Sequence, residues 1–484
     1  MKQLRVWDGW IPHASGRTSE SECVFLQGWA HGGVETVLSL RKLSAILLFC
    51  LCSISQARAG ATLFLGEPYG YDGWFAGTGH AAVYLNRVCA TSPVALGLCA
   101  PGETGIVISR YSGVAGYDWV AIPLIPYLYG VEKQEDVPLF ADAKLVAFLR
   151  DRYRRTHLES LAPDLPDSGT PGGGWYELIG ASYIRTIYAF EIETSPEQDA
   201  MLIRKLNSWP NRQRWNLATA NCADFVREVI NFYYPHAVHR SIISDLGITT
   251  PKQSARMLSN YIRHHPELRT STFVIPQVPG TVPRSRPVHS ILECALTAKK
   301  YMLPLFLLHP YIAGGLVAGY LVRGHFNPAK NALILDSKHQ LEAPLTATDR
   351  RAFQGRLEDL VQTASPEDAA ADERHWASLH AAAEPILDAS GGPTLQLNVG
   401  GEVTPVGIAR ANILKVPDSY KFAAGLMKAR LREELKPGAS RKTARSDCEN
   451  DLALLQQLLT SQPTGFASTA GSPESGAQSA VAAQ

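Results

Sequence analysis

The sequence predicts a mixed α+β protein, and three observations carry that reading. From Gly60 to about Pro276, short apolar or β-branched runs alternate with Gly, Pro and Asp punctuation. Helix starts fall between those runs, at Ser195-Pro196-Glu197 and near Asn221. Residues 346–460 are rich in Ala, Leu and charge and read as mostly helical, interrupted by a β-like patch at Thr394–Val403.

The composition is that of an ordinary globular chain: 484 residues, 45% hydrophobic and 9% aromatic. That length allows two or three domains and excludes a small disulfide scaffold. Lys and Arg number 46 against 45 Asp and Glu, a net charge of +1. Such a balance gives no field to hold a polyanion, so no nucleic-acid partner is expected.

Residues 1–59 read as an upstream extension followed by a signal peptide. Arg41-Lys42 is the basic end, Leu43–Ile54 the apolar run and Ala57-Arg58-Ala59 the small-residue end of a secretory signal. The run is short for a bilayer crossing, which favours cleavage after Ala59 over a permanent anchor. The forty residues before it point to a start codon placed too early. The expected location is therefore exported, periplasmic or cell-envelope, with membrane tethering as a variant. Cleavage leaves Cys89, Cys99, Cys222, Cys294 and Cys448 in an oxidising setting. Cys89 and Cys99 bracket a short loop whose ends can meet, so they are the plausible disulfide, and the odd count leaves at least one thiol over. No C-x-x-C and no His-x-x-x-His partner occurs, so neither zinc nor any other cofactor is expected.

Residues 60–275 form the expected catalytic domain. Its strands are expected at His80–Val88, Gly105–Tyr111, Trp119–Ile125 and Ile184–Glu193. One helix should run from Ser195 through Leu206, and a second from near Asn221 to before Pro235. Residues 276–345 read as a linker with a possible membrane contact at Tyr301–Val322. This stretch holds no Asp, Glu, Lys or Arg, and Lys299-Lys300 and Arg323 flank it. Its length could span a bilayer, but Pro304, His309-Pro310 and Gly314-Gly315 interrupt it, so a buried or interfacial helical hairpin is the alternative. Residues 346–463 make the mostly helical C-terminal region, and 464–484 a tail expected to be disordered.

Two segments carry the chemistry. In Gly79-His80-Ala81-Ala82-Val83-Tyr84-Leu85 a histidine enters a strand from a Gly turn. In Asn216–Val226 a cysteine, Cys222, stands at a helix start, with Phe225, Val226, Val229 and Ile230 on its face. A helix N-terminus stabilises a thiolate, and an adjacent imidazole can take the thiol proton and return it to a leaving group. Asn216 is the first side-chain amide to test as an oxyanion partner, with a purely turn-shaping role as the alternative.

Asn221-Cys222-Ala223-Asp224-Phe225-Val226 resembles the Asn-Cys-x-x-Phe-Val helix start of the circularly permuted papain-like superfamily, which includes NlpC-like amidases and lecithin:retinol acyltransferase relatives. His80-Ala81-Ala82-Val83-Tyr84-Leu85 is similar to that group's His-x-x-Ile/Val-Tyr-Leu strand, and the order, His strand before Cys helix, is the permuted one. The resemblance covers residues 60–245. It implies an antiparallel sheet packed on the nucleophile helix, with thiol acyl chemistry between them. It also implies a third polar residue on the strand after the His strand, where this chain offers Ser109, with Tyr111 on the same face. The Pro163–Gly174 insert between the motifs is a departure from the family pattern and a candidate substrate-facing loop.

Plainer readings stand beside these. Cys222 alone reads as a small core residue on an apolar helix face, and His80 as a satisfied core histidine. Asp224 reads as a solvated charge or a first-turn dipole partner. Cys294 and Cys448 sit in ordinary helical contexts and are expected to be inert. Gly77-Thr78-Gly79-His80-Ala81-Ala82 mimics a dinucleotide fingerprint but leads into a strand rather than a helix. No serine nucleophile elbow, P-loop or H-E-x-x-H occurs. The expectation is an exported cysteine hydrolase or acyltransferase acting on a cell-envelope amide or ester, either a peptidoglycan peptide or a lipid acyl group. A noncatalytic envelope-binding module on the same fold is the alternative.

Overall fold

The computed structural model describes residues 60–69, 77–166, 169–297, 299–323, 326–330, 332–335, 341–342, 348, 351, 355, 365–413, 415–416 and 419–435. The signal-like segment, Cys448 and the tail at 464–484 lie outside the described residues. The chain is α+β. Its strands open with β1 (Gly60–Gly66) and β2 (His80–Leu85), followed by a side hairpin of β3 (Val88–Ser92) and β4 (Ala95–Leu98). The main sheet continues through β5 (Ile106–Arg110), β6 (Trp119–Pro123), β7 (Ile187–Glu193), β8 (Thr270–Ile275), β9 (Leu333–Leu335) and β10 (Leu341–Glu342). Its order is β10-β9-β8-β7-β1-β2-β5-β6, antiparallel except for the parallel β8–β9 pair. The disulfide expected between Cys89 and Cys99 is formed and ties the side hairpin.

The central strands β1 and β2 are buried along their whole length, which is why they read as continuous apolar runs instead of alternating ones. On one face Phe64, Ala82, Tyr84, Val107 and Ile122 pack beneath α1 (Leu124–Tyr129) and α2 (Ala143–His157). On the other, Leu63, Leu65, Ala81 and Val83 meet the apolar sides of α3 (Pro196–Ser208), α4 (Cys222–Tyr233) and α5 (Pro251–His264). Ser195 caps α3 in a capping box with Gln198. On α4, Phe225, Val226, Val229 and Ile230 are buried, as their helical spacing requires.

One expectation is revised and another is extended. The stretch 276–345 is more than a linker, because β9 and β10 extend the sheet past Ile275. Before them lie α6 (Ile291–Thr297), α7 (Lys299–Leu308) and α8 (Pro310–Arg323). The chain breaks between α7 and α8 at His309, where Pro310 opens the second helix. Among the described residues no helix is long and apolar enough to cross a membrane.

In the C-terminal region the expected β-like patch at Thr394–Val403 belongs to a sheet set between helices. Between α9 (Pro366–Ala382) and α10 (Ser419–Leu435) that region holds an antiparallel sheet of β11 (Ala383–Leu387), β12 (Pro393–Val399) and β13 (Glu402–Gly407). Gly391, Gly400 and Gly401 adopt positive φ at the turns that fold this sheet back on itself. Leu395, Val406, Phe422 and Met427 pack into the same core as Phe140 and Leu145, so this region closes over one face of the main sheet.

Candidate active site

The site starts at the junction of β1 and β2, where Gly66 stands opposite His80. Gly79 has φ +73°, and a Cβ there would lie 2.3 Å from the Gly66 carbonyl oxygen, so glycine is what lets β2 begin so close to β1. The His80 ring then lies buried, stacked on Tyr111 with centroids 5.0 Å apart and planes 25° from parallel. Burial first, and the Arg185 cation second, hold the imidazole well below its ordinary pKa, so it is neutral. Its Nε2 makes no hydrogen bond, with the thiol or with any other group among the described residues.

Cys222 is fixed by the opening of α4. Asn221 is the N-cap: its Oδ1 accepts from the Asp224 backbone N–H at 2.9 Å, and the Asp224 carboxylate accepts in return from the Asn221 N–H. Asn221 Nδ2 donates to the Leu217 and Thr249 carbonyls, both at 2.9 Å. Arg110, at the end of β5, reaches the Asn221 carbonyl at 3.4 Å while its other nitrogens clamp Asp118 at 2.8 and 2.9 Å. Sheet, turn and helix therefore meet at the residue before the sulfur.

Cys222 is half-buried, and its sulfur faces the strand that carries the histidine. Burial pushes the thiol up to about 11, and the backbone N–H groups of Ala81 and Ala223 beside the sulfur oppose that rise. Ala81 adjoins His80 in sequence, so the sulfur rests against the start of β2. His80 and Cys222 both line one cavity of about 540 Å³, together with Tyr111, Glu177, Trp215 and Thr249. At neutral pH the pair is thus an uncharged thiol and an uncharged imidazole.

Of the four residues expected here, the structure brings together His80 and Cys222 and leaves the other two elsewhere. Ser109 is fully buried and its Oγ donates to the Ala81 carbonyl at 2.6 Å, which ties β5 to β2 but does not orient the imidazole. Asn216 is exposed and absent from the cavity wall; its Oδ1 accepts from Thr219 N–H and Oγ1, the turn-shaping role. Asp224 is no solvated charge. It is fully buried, bound by Thr249 Oγ1 at 2.6 Å and Arg240 at 2.9 Å, and serves the helix start as its capping-box partner. Cys294 is buried on α6, and burial pushes its thiol up to about 11.

Tyr111 is the contact that reasoning on one strand did not assign. The β2–β5 register pairs Val83 with Ile108, and carrying it outward brings Tyr111 opposite His80. Among the described residues the metal-ligating groups that converge are Cys89, Cys99 and Glu103, and there the two sulfurs are bonded to each other. Searches against protein families, curated proteins and solved structures found no match to this chain.

Proposed function

We propose that this chain is an exported cysteine hydrolase or acyltransferase, with Cys222 as nucleophile and His80 as general base, acting on an acyl amide or ester of the cell envelope. The observation that carries the reading is the shared cavity: an imidazole and a helix-start thiol, far apart in sequence, open onto the same space. The finer description of the fold as permuted papain-like belongs to this proposal. An antiparallel sheet packed on the nucleophile helix, with the His strand earlier in the chain than the Cys helix, supports it.

In the proposed reaction His80 Nε2 takes the Cys222 proton as the sulfur attacks the acyl carbon. The C–N or C–O bond to the leaving group breaks, and the imidazolium returns the proton to that group. Water or a second acceptor then cleaves the thioester, and the thiol is restored. A lipid acyl group is the favoured substrate over a peptidoglycan peptide, because Leu303, Leu307, Leu308, Tyr311 and Ile312 stand exposed around the α7–α8 turn.

The noncatalytic reading has one observation in its favour, the raised Cys222 thiol beside an Nε2 that makes no bond. Labelling with iodoacetamide at mildly acidic pH decides between them. Selective modification of Cys222 over Cys294, lost in Cys222→Ala with the fold intact, is the expected result. Equal or absent labelling of Cys222 establishes the noncatalytic module.

A further inference from the structure

Behind the cavity wall lies a group of donors that the proposed proton transfer does not use. Arg185 is 4% exposed, and its Cδ packs on the bare Cα of Gly66, where a Cβ would come within 2.7 Å. Gly66 is the residue paired with His80, so the guanidinium lies across one strand from the imidazole. Its stem carries the charge over the Tyr69 ring, 4.6 Å from the centroid. Its ion pair is loose, with Glu177 at 3.7 Å, and Glu177 itself lines the cavity.

Two buried polar atoms in this group have no hydrogen-bond partner among the described residues: Arg185 Nε and Tyr69 Oη. Both can donate, and a buried donor left unmatched costs about 1–3 kcal/mol. Arg150 and Arg185 both lie in the field of the Glu177 carboxylate, while the Glu67 carboxylate accepts from Tyr188 Oη at 2.8 Å and Ser285 Oγ at 2.6 Å. Arg150 is satisfied by the Ile179 and Gly180 carbonyls. Arg185 is the cation left with capacity.

We propose that Arg185 and Tyr69 form a subsite for an anionic oxygen, carboxylate or phosphate, on the molecule whose acyl group reaches Cys222. The chemistry is that of a charge-assisted guanidinium contact supported by a phenol donor. An acceptor-only ligand satisfies both atoms. The proposal rests on the reading of Cys222 as nucleophile, and its test separates the two.

The probe is the pair iodoacetate and iodoacetamide, which deliver the same alkyl transfer to sulfur, with iodide leaving, and differ in one negative charge. The measured quantity is the ratio of their second-order rate constants at Cys222, normalised to a free thiol. Any general change in thiolate content cancels in that ratio. We expect wild type to favour iodoacetate, Arg185→Gln to lower the ratio about tenfold and Tyr69→Phe to lower it about threefold. An unchanged ratio in Arg185→Gln overturns the subsite.

If neither reagent reacts, Cys222 fails as nucleophile, and binding still decides the subsite. Dimethyl phosphate or acetate should raise the wild-type Tm and leave that of Arg185→Gln unmoved. A response to dimethyl phosphate alone identifies a phosphodiester ligand, and one to acetate alone a carboxylate. No shift with either anion overturns the proposal.

Discussion

The His80 imidazole stacks on the Tyr111 ring, centroids 5.0 Å apart. A ring face restricts imidazole rotation by contact area, without the directed hydrogen bond of an amide or carboxylate. Aromatic pairing of this kind is worth about 0.5–1.5 kcal/mol. Tyr111→Phe should therefore retain capture of a thiol probe by Cys222 within about twofold. Tyr111→Ala should slow it about tenfold, because misplacing a proton acceptor by an ångström is costly. Equal rates in Tyr111→Ala and wild type would remove the stack from the mechanism.

His80 also gives stability a pH dependence. Its pKa in the folded state is depressed, so the folded protein resists a proton that the unfolded chain accepts below about pH 6.5. Its contribution is fully present above that value and is lost as pH falls toward the folded pKa, at up to about 1.4 kcal/mol per pH unit. Urea unfolding at pH 7.5 and pH 5 should show a smaller acid loss in His80→Asn than in wild type. Identical losses would mean that the ring is protonated without penalty.

Asp118 anchors the helix start from below. Burial alone would raise its carboxyl, but hydrogen bonds from Arg110 and Arg214 outweigh that and hold it below the ordinary carboxylate range. Arg110 is 1% exposed, so Asp118→Asn would leave a buried guanidinium with only the exposed Glu228 carboxylate at 3.6 Å. A loss of about 3–5 kcal/mol in denaturant unfolding is expected, in the range for one partner of a buried pair. The same variant should also weaken probe capture, because Arg110 reaches the Asn221 carbonyl that precedes Cys222. A loss below about 1 kcal/mol would show that the Glu228 carboxylate, 3.6 Å from Arg110, and solvent replace the pair.

What the sequence made legible was local. Ser195-Pro196, the apolar spacing after Cys222 and the short Cys89–Cys99 loop each encode their structure within a dozen residues. Asn221 and Asp224 belonged to the same class, since Asn-x-x-Asp at a helix start is a capping signal that sequence reasoning passed over in favour of charge alone. The rest depended on register and on contacts between distant segments. Ser109 and Tyr111 share a strand face, and only the pairing of β2 with β5 decides which of them meets His80. Arg185 carries no motif; its place follows from a bare glycine one strand away. The C-terminal sheet was half visible at Thr394–Val403, but its partners flank glycine turns and its core lies under the first domain.

The α7–α8 hairpin supplies the test of the substrate class. Leu307 and Leu308 are 75% and 72% exposed, and Tyr311, just past the break, is 93% exposed. A fully buried leucine is worth about 1.5–3 kcal/mol, so several such side chains entering an acyl layer together would hold the protein at a membrane surface without a spanning helix. In sequence, Lys299, Lys300 and Arg323 flank the apolar run, a pattern that suits anionic headgroups. The chain should float with vesicles containing anionic phospholipid. Leu307→Asp combined with Leu308→Asp should leave it at the bottom of the gradient with its unfolding midpoint unchanged, because both side chains stand in solvent. Failure of the wild-type chain to float would withdraw the lipid substrate and return the site to a peptide of the cell wall.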